Sequence, residues 1–114
     1  MTSTSTPDLT PATARYFELM GSDDRSPAAD LFAPDATVLD EGRTYRGRAE
    51  ILGWLTGQAS EYTFTSTVLS AEHDGPSTVV RVLVEGTFPG GRVELTQRFT
   101  HGSDGLLRSL EITA

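Results

Sequence analysis

The sequence predicts an α+β domain: a curved antiparallel sheet wrapped around N-terminal helices, forming a cone-shaped α+β barrel. Three observations carry this. Helical periodicity is concentrated in the first half of the chain. The second half is rich in β-branched and aromatic residues in alternating patterns. Its strands are separated by the turn signals "DGPS", "PGG" and "GSDG". Helices first and long antiparallel strands after is the order of a fold whose helices pack on one sheet face. A sheet that curls around helices leaves a conical cavity, and such mouths are common ligand sites.

The first helix is signalled by Thr10 as cap, Pro11 in the first turn and Gly21 at the end. Within it, Ala12, Tyr16 and Met20 share a stripe, with Thr13 and Phe17 on the adjoining row. Ser26 and Pro27 repeat the cap-and-proline signal, so a short helix is expected through "AADLF", stopping before Pro34. A strand follows at 35–40, then a turn at Glu41 and Gly42 and a short strand at "TYR". A third helix is expected over "RAEILGWLTGQA", with Ile51, Leu52, Trp54 and Leu55 on its buried side and Gly53 weakening it. "YTFTSTVLSAEH", "TVVRVLVEGTF", "RVELTQRFTH" and "LLRSLEIT" read as strands. Val80, Val82 and Val84 share one face, as do Val93, Leu95, Gln97 and Phe99.

The totals narrow the function classes. A chain of 114 residues makes one domain with a real core. The absence of cysteine excludes disulfides, thiolate metal sites and cysteine catalysis. A net charge of −7 repels phosphate backbones and anionic lipid, so no nucleic-acid or membrane partner is expected. "MTSTSTPDLT" lacks the basic start and apolar centre of a signal peptide, and no apolar run reaches the length of a membrane span. The cytoplasm is therefore the expected compartment. No dinucleotide, P-loop or nucleophile-elbow motif occurs. His73 and His101 sit beside turns, away from metal-ligand spacing with any acid, so they read as surface residues and no metal is expected.

One stretch, "DATVLD", admits both a structural and a functional reading. As a strand it puts Ala36, Val38 and Asp40 on one inward row, ending an apolar face with a carboxylate. At the rim of an apolar cavity such a group loses hydration, its pKa rises, and it becomes a usable base. As a turn residue ahead of Glu-Gly it would be unremarkable. Tyr16 faces inward on the helix stripe, and a buried phenol needs a partner, be it a ligand oxygen, Asp40 or a backbone carbonyl. Gln97 is the polar member of an otherwise apolar strand face, placed either to orient a ligand or at a twisted edge.

The order helix, helix, short strands, helix, long meander resembles the nuclear transport factor 2-like superfamily. That group includes ketosteroid isomerases, SnoaL-like polyketide cyclases, scytalone dehydratases and limonene epoxide hydrolases. "ARYFEL" (14–19) resembles the segment carrying the isomerases' oxyanion-binding tyrosine. "LFAPDATVLD" (31–40) resembles the segment ending in their catalytic aspartate, and "YRGRAEILGWL" (45–55) the helix that follows. The resemblance runs from residue 9 onward, so the domain is expected at 9–114, after a disordered lead at 1–8. It implies that Tyr16 is the hydrogen-bonding tyrosine and Asp40 the general base, with no cofactor. The isomerases' second oxyanion donor, a protonated aspartate, corresponds to about Leu95, which points to a SnoaL-like relative over a true steroid isomerase.

Two functional readings result. In the first, the protein is a small cofactor-free enzyme acting on an apolar carbonyl-containing or polycyclic molecule, as an isomerase, cyclase, dehydratase or epoxide hydrolase. Asp40 and Tyr16 carry the chemistry, and Met20, Phe32, Trp54, Phe64, Val82, Val84, Gln97, Phe99 and Leu110 face the ligand. In the second, the same fold is a non-catalytic ligand-binding or interaction module. The resemblance also implies a homodimer, expected through the outer sheet face, where Arg81, Glu85, Glu94 and Arg98 are interleaved with Val79, Leu83 and Thr96.

Overall fold

The computed structural model describes residues 9–57 and 62–114. The expected lead at 1–8 and the expected end of the third helix at Gln58 and Ala59 lie outside the described residues. The element order is α1 (Pro11–Met20), a 3-10 helix (Ser26–Leu31), β1 (Phe32–Asp40), β2 (Arg43–Arg46), α2 (Gly47–Thr56), β3 (Phe64–Asp74), β4 (Ser77–Gly86), β5 (Arg92–His101) and β6 (Leu107–Thr113).

The six strands form one sheet in the order β2-β1-β6-β5-β4-β3. The α+β class stands, with two corrections. The sheet is mixed, because β1 runs parallel to β6, with Val38 opposite Leu110 and Asp40 opposite Ile112. It is also open, with β2 and β3 as edges, so the barrel is not closed. The meander β3 to β6 is antiparallel throughout, as its tight turns require. Parallel pairing needs a long crossover, and here that crossover is most of the chain.

Local chemistry explains the element ends. The Thr10 hydroxyl accepts from the Thr13 amide at the start of α1. Glu41 and Gly42, at φ 52° and 76°, form the two-residue turn that joins β1 to β2. The segment expected to finish the short helix is already strand: β1 starts at Phe32 and takes in Pro34. Proline cannot donate to a ladder, and the β1–β6 register is interrupted between Phe32 and Thr37 around it. The Phe32 carbonyl instead accepts from Arg48 Nε at 2.8 Å. On β3 a bulge between Val68 and Ser70 bends the strand and turns Leu69 outward.

The core lies between the helices and the concave sheet face. Phe32, Val38, Ile51, Leu55, Val80, Val82, Phe99 and Leu110 are fully buried there. Leu52, expected on the buried side of α2, is 41% exposed; Ile51, Trp54 and Leu55 fill that side without it. His101 is more than a surface turn residue. Its Nδ1 donates to the Pro76 carbonyl at 3.1 Å, and its Nε2 lies 2.9 Å from Thr10 Oγ1 and 3.2 Å from Thr13 Oγ1. It thereby ties the start of α1 to the end of β5. His73 stays exposed and meets Thr78 Oγ1 across the β3–β4 hairpin.

Phe99 joins the sheet to α1 in this packing, in edge-on contact with both Tyr16 (5.3 Å) and Phe17 (5.6 Å). Phe99→Ala is expected to cost about 3–5 kcal/mol, measured by urea unfolding. A loss below about 1 kcal/mol would show that α1 repacks easily onto the sheet.

Candidate active site

Alternation along three strands sends Asp40, Gln97 and Ile112 to the concave face, and α1 and α2 add Tyr16, Met20 and Trp54. Together they line a cavity of about 730 Å³. Its inner end is formed by the buried Tyr16, Met20, Trp54 and Gln97. Exposed lining residues, Glu41, Gly42, Tyr62 and Pro89, mark its mouth.

Asp40 is half-buried, and its Oδ2 accepts a hydrogen bond from the Trp54 indole at 3.1 Å. Burial raises the pKa of this carboxyl above the usual aspartate value. The indole bond works against that rise, the charge of Glu41 adds to it, and the Glu41 amide opposes it. Tyr16 is buried, and its phenol is pushed well above the usual tyrosine value, first by burial and then by the charge of Asp40. Arg25 pulls the other way. The phenol therefore stays protonated, a hydrogen-bond donor in the same cavity as the Asp40 carboxyl. Among the described residues it makes no hydrogen bond, so its donor is available to a molecule in the cavity.

Of the residues expected to face a ligand, Met20, Trp54, Phe64, Val84 and Gln97 line the cavity. Phe32, Val82, Phe99 and Leu110 do not: they are fully buried in the core. Periodicity gives the face of a strand, but not the depth at which a helix covers it. Leu95 lines the cavity as an apolar residue. Phe17, Tyr62, Phe88, Val93 and Ile112 join the lining without having been singled out. Val93 and Ile112 were legible as neighbours of Gln97 and Leu110 in alternating strands, whereas Tyr62 and Phe88 meet only in three dimensions, with rings 6.2 Å apart. Arg25 carries no sequence signal at all. It is 9% exposed, donates from Nε to the Met20 carbonyl at 2.9 Å, and stacks 4.4 Å from the Phe64 ring centre. Among the described residues no group of three or more His, Asp or Glu side chains is placed to hold a metal ion. No described helix is long and apolar enough to cross a membrane.

A family model described as a SnoaL-like domain matches residues 13–109. The chain belongs to the SnoaL-like family. Solved structures agree. The Sinorhizobium meliloti protein SMa1630, provisionally named a polyketide cyclase, is 36% identical, with a TM-score of 0.85 over 93% of this chain and 96% of that one. A Δ5-3-ketosteroid isomerase from Mycobacterium sp. shares the fold at 19% identity, with a TM-score of 0.76 over 90% of this chain and 89% of that one. A Catenulispora acidiphila protein with a ketosteroid isomerase-like fold, in complex with trimethylamine, does so at 19% identity, a TM-score of 0.81 and coverages of 93% and 87%. A search of curated proteins finds no match. The SnoaL-like chain thus has the α+β fold of the nuclear transport factor 2-like superfamily, with the cavity between its helices and concave sheet.

The raised Asp40 pKa makes stability depend on pH. Below the pKa of an unfolded aspartate, about 3.9, both states hold the proton. As pH climbs from there through the raised folded value, the unfolded state releases its proton first, and folding loses stability. Asn at position 40 has no proton to lose and still accepts from Trp54. The melting temperature of Asp40→Asn relative to the parent is therefore expected to climb with pH across that window and level off above it. Thermal melts from pH 3 to 8 check this (about five points suffice); a flat difference rules the raised pKa out.

Proposed function

We propose that this SnoaL-like protein is a cofactor-free enzyme that moves a proton next to a carbonyl group in an apolar, polycyclic molecule. The observation that carries the reading is one juxtaposition. A desolvated carboxylate, held by an indole N–H, lines the same apolar cavity as a buried phenol whose hydroxyl has no hydrogen-bond partner among the described residues. Asp40 takes a proton from the carbon beside the carbonyl, and the C–H electron pair moves into the carbonyl to form an enolate. The oxygen that gains the charge accepts a hydrogen bond from Tyr16, which is strong in a water-poor cavity. In a ketone with a C=C bond at the next position the enolate is a dienolate, and returning the proton to its far carbon shifts that double bond into conjugation, which completes an isomerisation. Attack of the enolate on a second carbonyl, followed by protonation of the new alkoxide, completes an aldol-type cyclisation. The 36% identity to a protein provisionally named a polyketide cyclase favours the second course.

The shared first step can be tested without knowing the natural substrate. The parent is expected to accelerate deuterium uptake from D2O at the carbon between the carbonyl and ring of 2-tetralone, followed by NMR. Asp40→Asn should lose about 10²–10⁴-fold of this rate, and Tyr16→Phe about 10²-fold. The parent rate should rise with pH through the raised Asp40 pKa, because only the carboxylate is a base. A parent that binds the ketone and exchanges no faster than buffer would favour the non-catalytic ligand-binding reading.

We also infer a homodimer through the outer sheet face. Leu69 is 46% exposed there, beyond a strip where Val79 and Leu83 alternate with the ion-paired Arg81 and Glu94. Leu83→Arg should shift a sedimenting dimer to monomer at micromolar concentration while leaving tetralone exchange per chain detectable. A monomeric parent at that concentration ends the inference.

A further inference from the structure

Gln97 projects from the middle of β5 onto the concave face, lines the cavity and is only 5% exposed. Its Oε1 is buried without a hydrogen-bond partner, and its Nε2 makes no hydrogen bond to any described residue. Native interiors rarely leave an amide unpaired, because each buried unsatisfied polar atom is destabilising. The register shows why the sheet cannot pair it. Directly across lie Val80 on β4 and Ile112 on β6, and its same-face neighbours along β5 are Leu95 and Phe99. All four side chains are apolar, so a partner has to come from the cavity.

The same register fixes its place relative to Asp40. Asp40 pairs with Ile112, and Ile112 pairs with Gln97. The two polar residues therefore sit in one row across three strands, about 10 Å apart at the backbone, with Ile112 between them. An apolar body spanning Ile112 would bring one of its ends to Asp40 and the other to Gln97.

We propose that Gln97 is a specificity-determining residue that binds a hydroxyl group at the end of the ligand far from Asp40. A hydroxyl fits better than a second carbonyl, because it can donate to the orphan Oε1 as well as accept from Nε2. The ligand class is thereby narrowed to polycyclic ketones or phenols carrying an alcohol or phenol at the opposite end. The inference rests on the cavity being the ligand site, as under Proposed function, and does not need proton transfer to occur there.

Fluorescence titration with 2,6-dihydroxynaphthalene and 6-methyl-2-naphthol tests it, since the two differ only in hydroxyl against methyl at one end. The parent is expected to prefer the diol by about 10-fold. In Gln97→Met, which keeps length without the amide, the preference should vanish and the ligand-free protein should melt at a higher temperature. Asp40→Asn should retain the preference. Equal affinities in the parent would mean that a water satisfies Gln97 and would overturn the proposal. So would a preference that survives in Gln97→Met, or an unchanged or lower melting temperature in that variant. Gln97→Leu gives the same readouts if Gln97→Met does not fold. A parent that shows the preference but no tetralone exchange keeps the role of Gln97 and removes the catalytic reading. A parent that binds neither naphthol overturns the role of Gln97, and one that in addition exchanges tetralone no faster than buffer overturns both.

Discussion

The parallel pairing of β1 with β6 is the constraint on which the rest of the molecule depends. It brings Val38 beside Leu110 and Asp40 beside Ile112, residues 72 positions apart in the chain. Closing so long a loop costs entropy that grows only slowly with its length. Burial of Val38, Leu110 and Phe99 on the joined face offsets it. Without this pairing the meander β3 to β6 would be a sheet with one naked face. With it, the 3-10 helix and α2, which flank the β1–β2 hairpin in sequence, are carried onto that face and cover it. The His101 bridge to Thr10 and Thr13 then ties the start of α1 to the neighbouring strand.

The same covering makes the chemistry. Helices laid over the bent sheet bury Phe32, Phe99 and Leu110 completely and leave a cavity lined by Tyr16, Asp40 and Gln97 among others. Groups at the boundary between the two are the ones whose properties change. Asp40 loses part of its hydration and is steadied by Trp54. Tyr16 is buried deeply enough to stay a phenol. A domain of this size could gain stability by filling that space with apolar side chains. It holds instead a carboxylate, a phenol and an unpaired amide, in local conflict with the packing rules that the rest of the core obeys.

Trp54 and Arg25 show how much depends on residues that do not look chemical. Trp54 packs from α2 against Tyr45 and at the same time directs its N–H to Asp40. Arg25 covers Phe64, a cavity-lining ring, and also acts on the Tyr16 phenol by its charge. In both, apolar contact area sets the position and a polar atom at the end of it sets the electrostatics.

Local chemistry in the sequence determined the elements themselves. Alternation placed Val80, Val82 and Val84 inward, the Thr10–Pro11 start fixed α1, and Glu41-Gly42 forced the β1–β2 turn. It also put Asp40, Tyr16 and Gln97 on inward faces, because those assignments need only a period of 2 or 3.6. What it could not determine is anything set by which element lies across from which. The parallel β1–β6 pair, the open edges, the burial of Phe32 and Val82 below the cavity and the exposure of Leu52 all depend on long-range register. So do the roles of Arg25 and His101, whose partners lie in other elements. Periodicity records the direction a side chain leaves the backbone; only the packed fold decides what is waiting there.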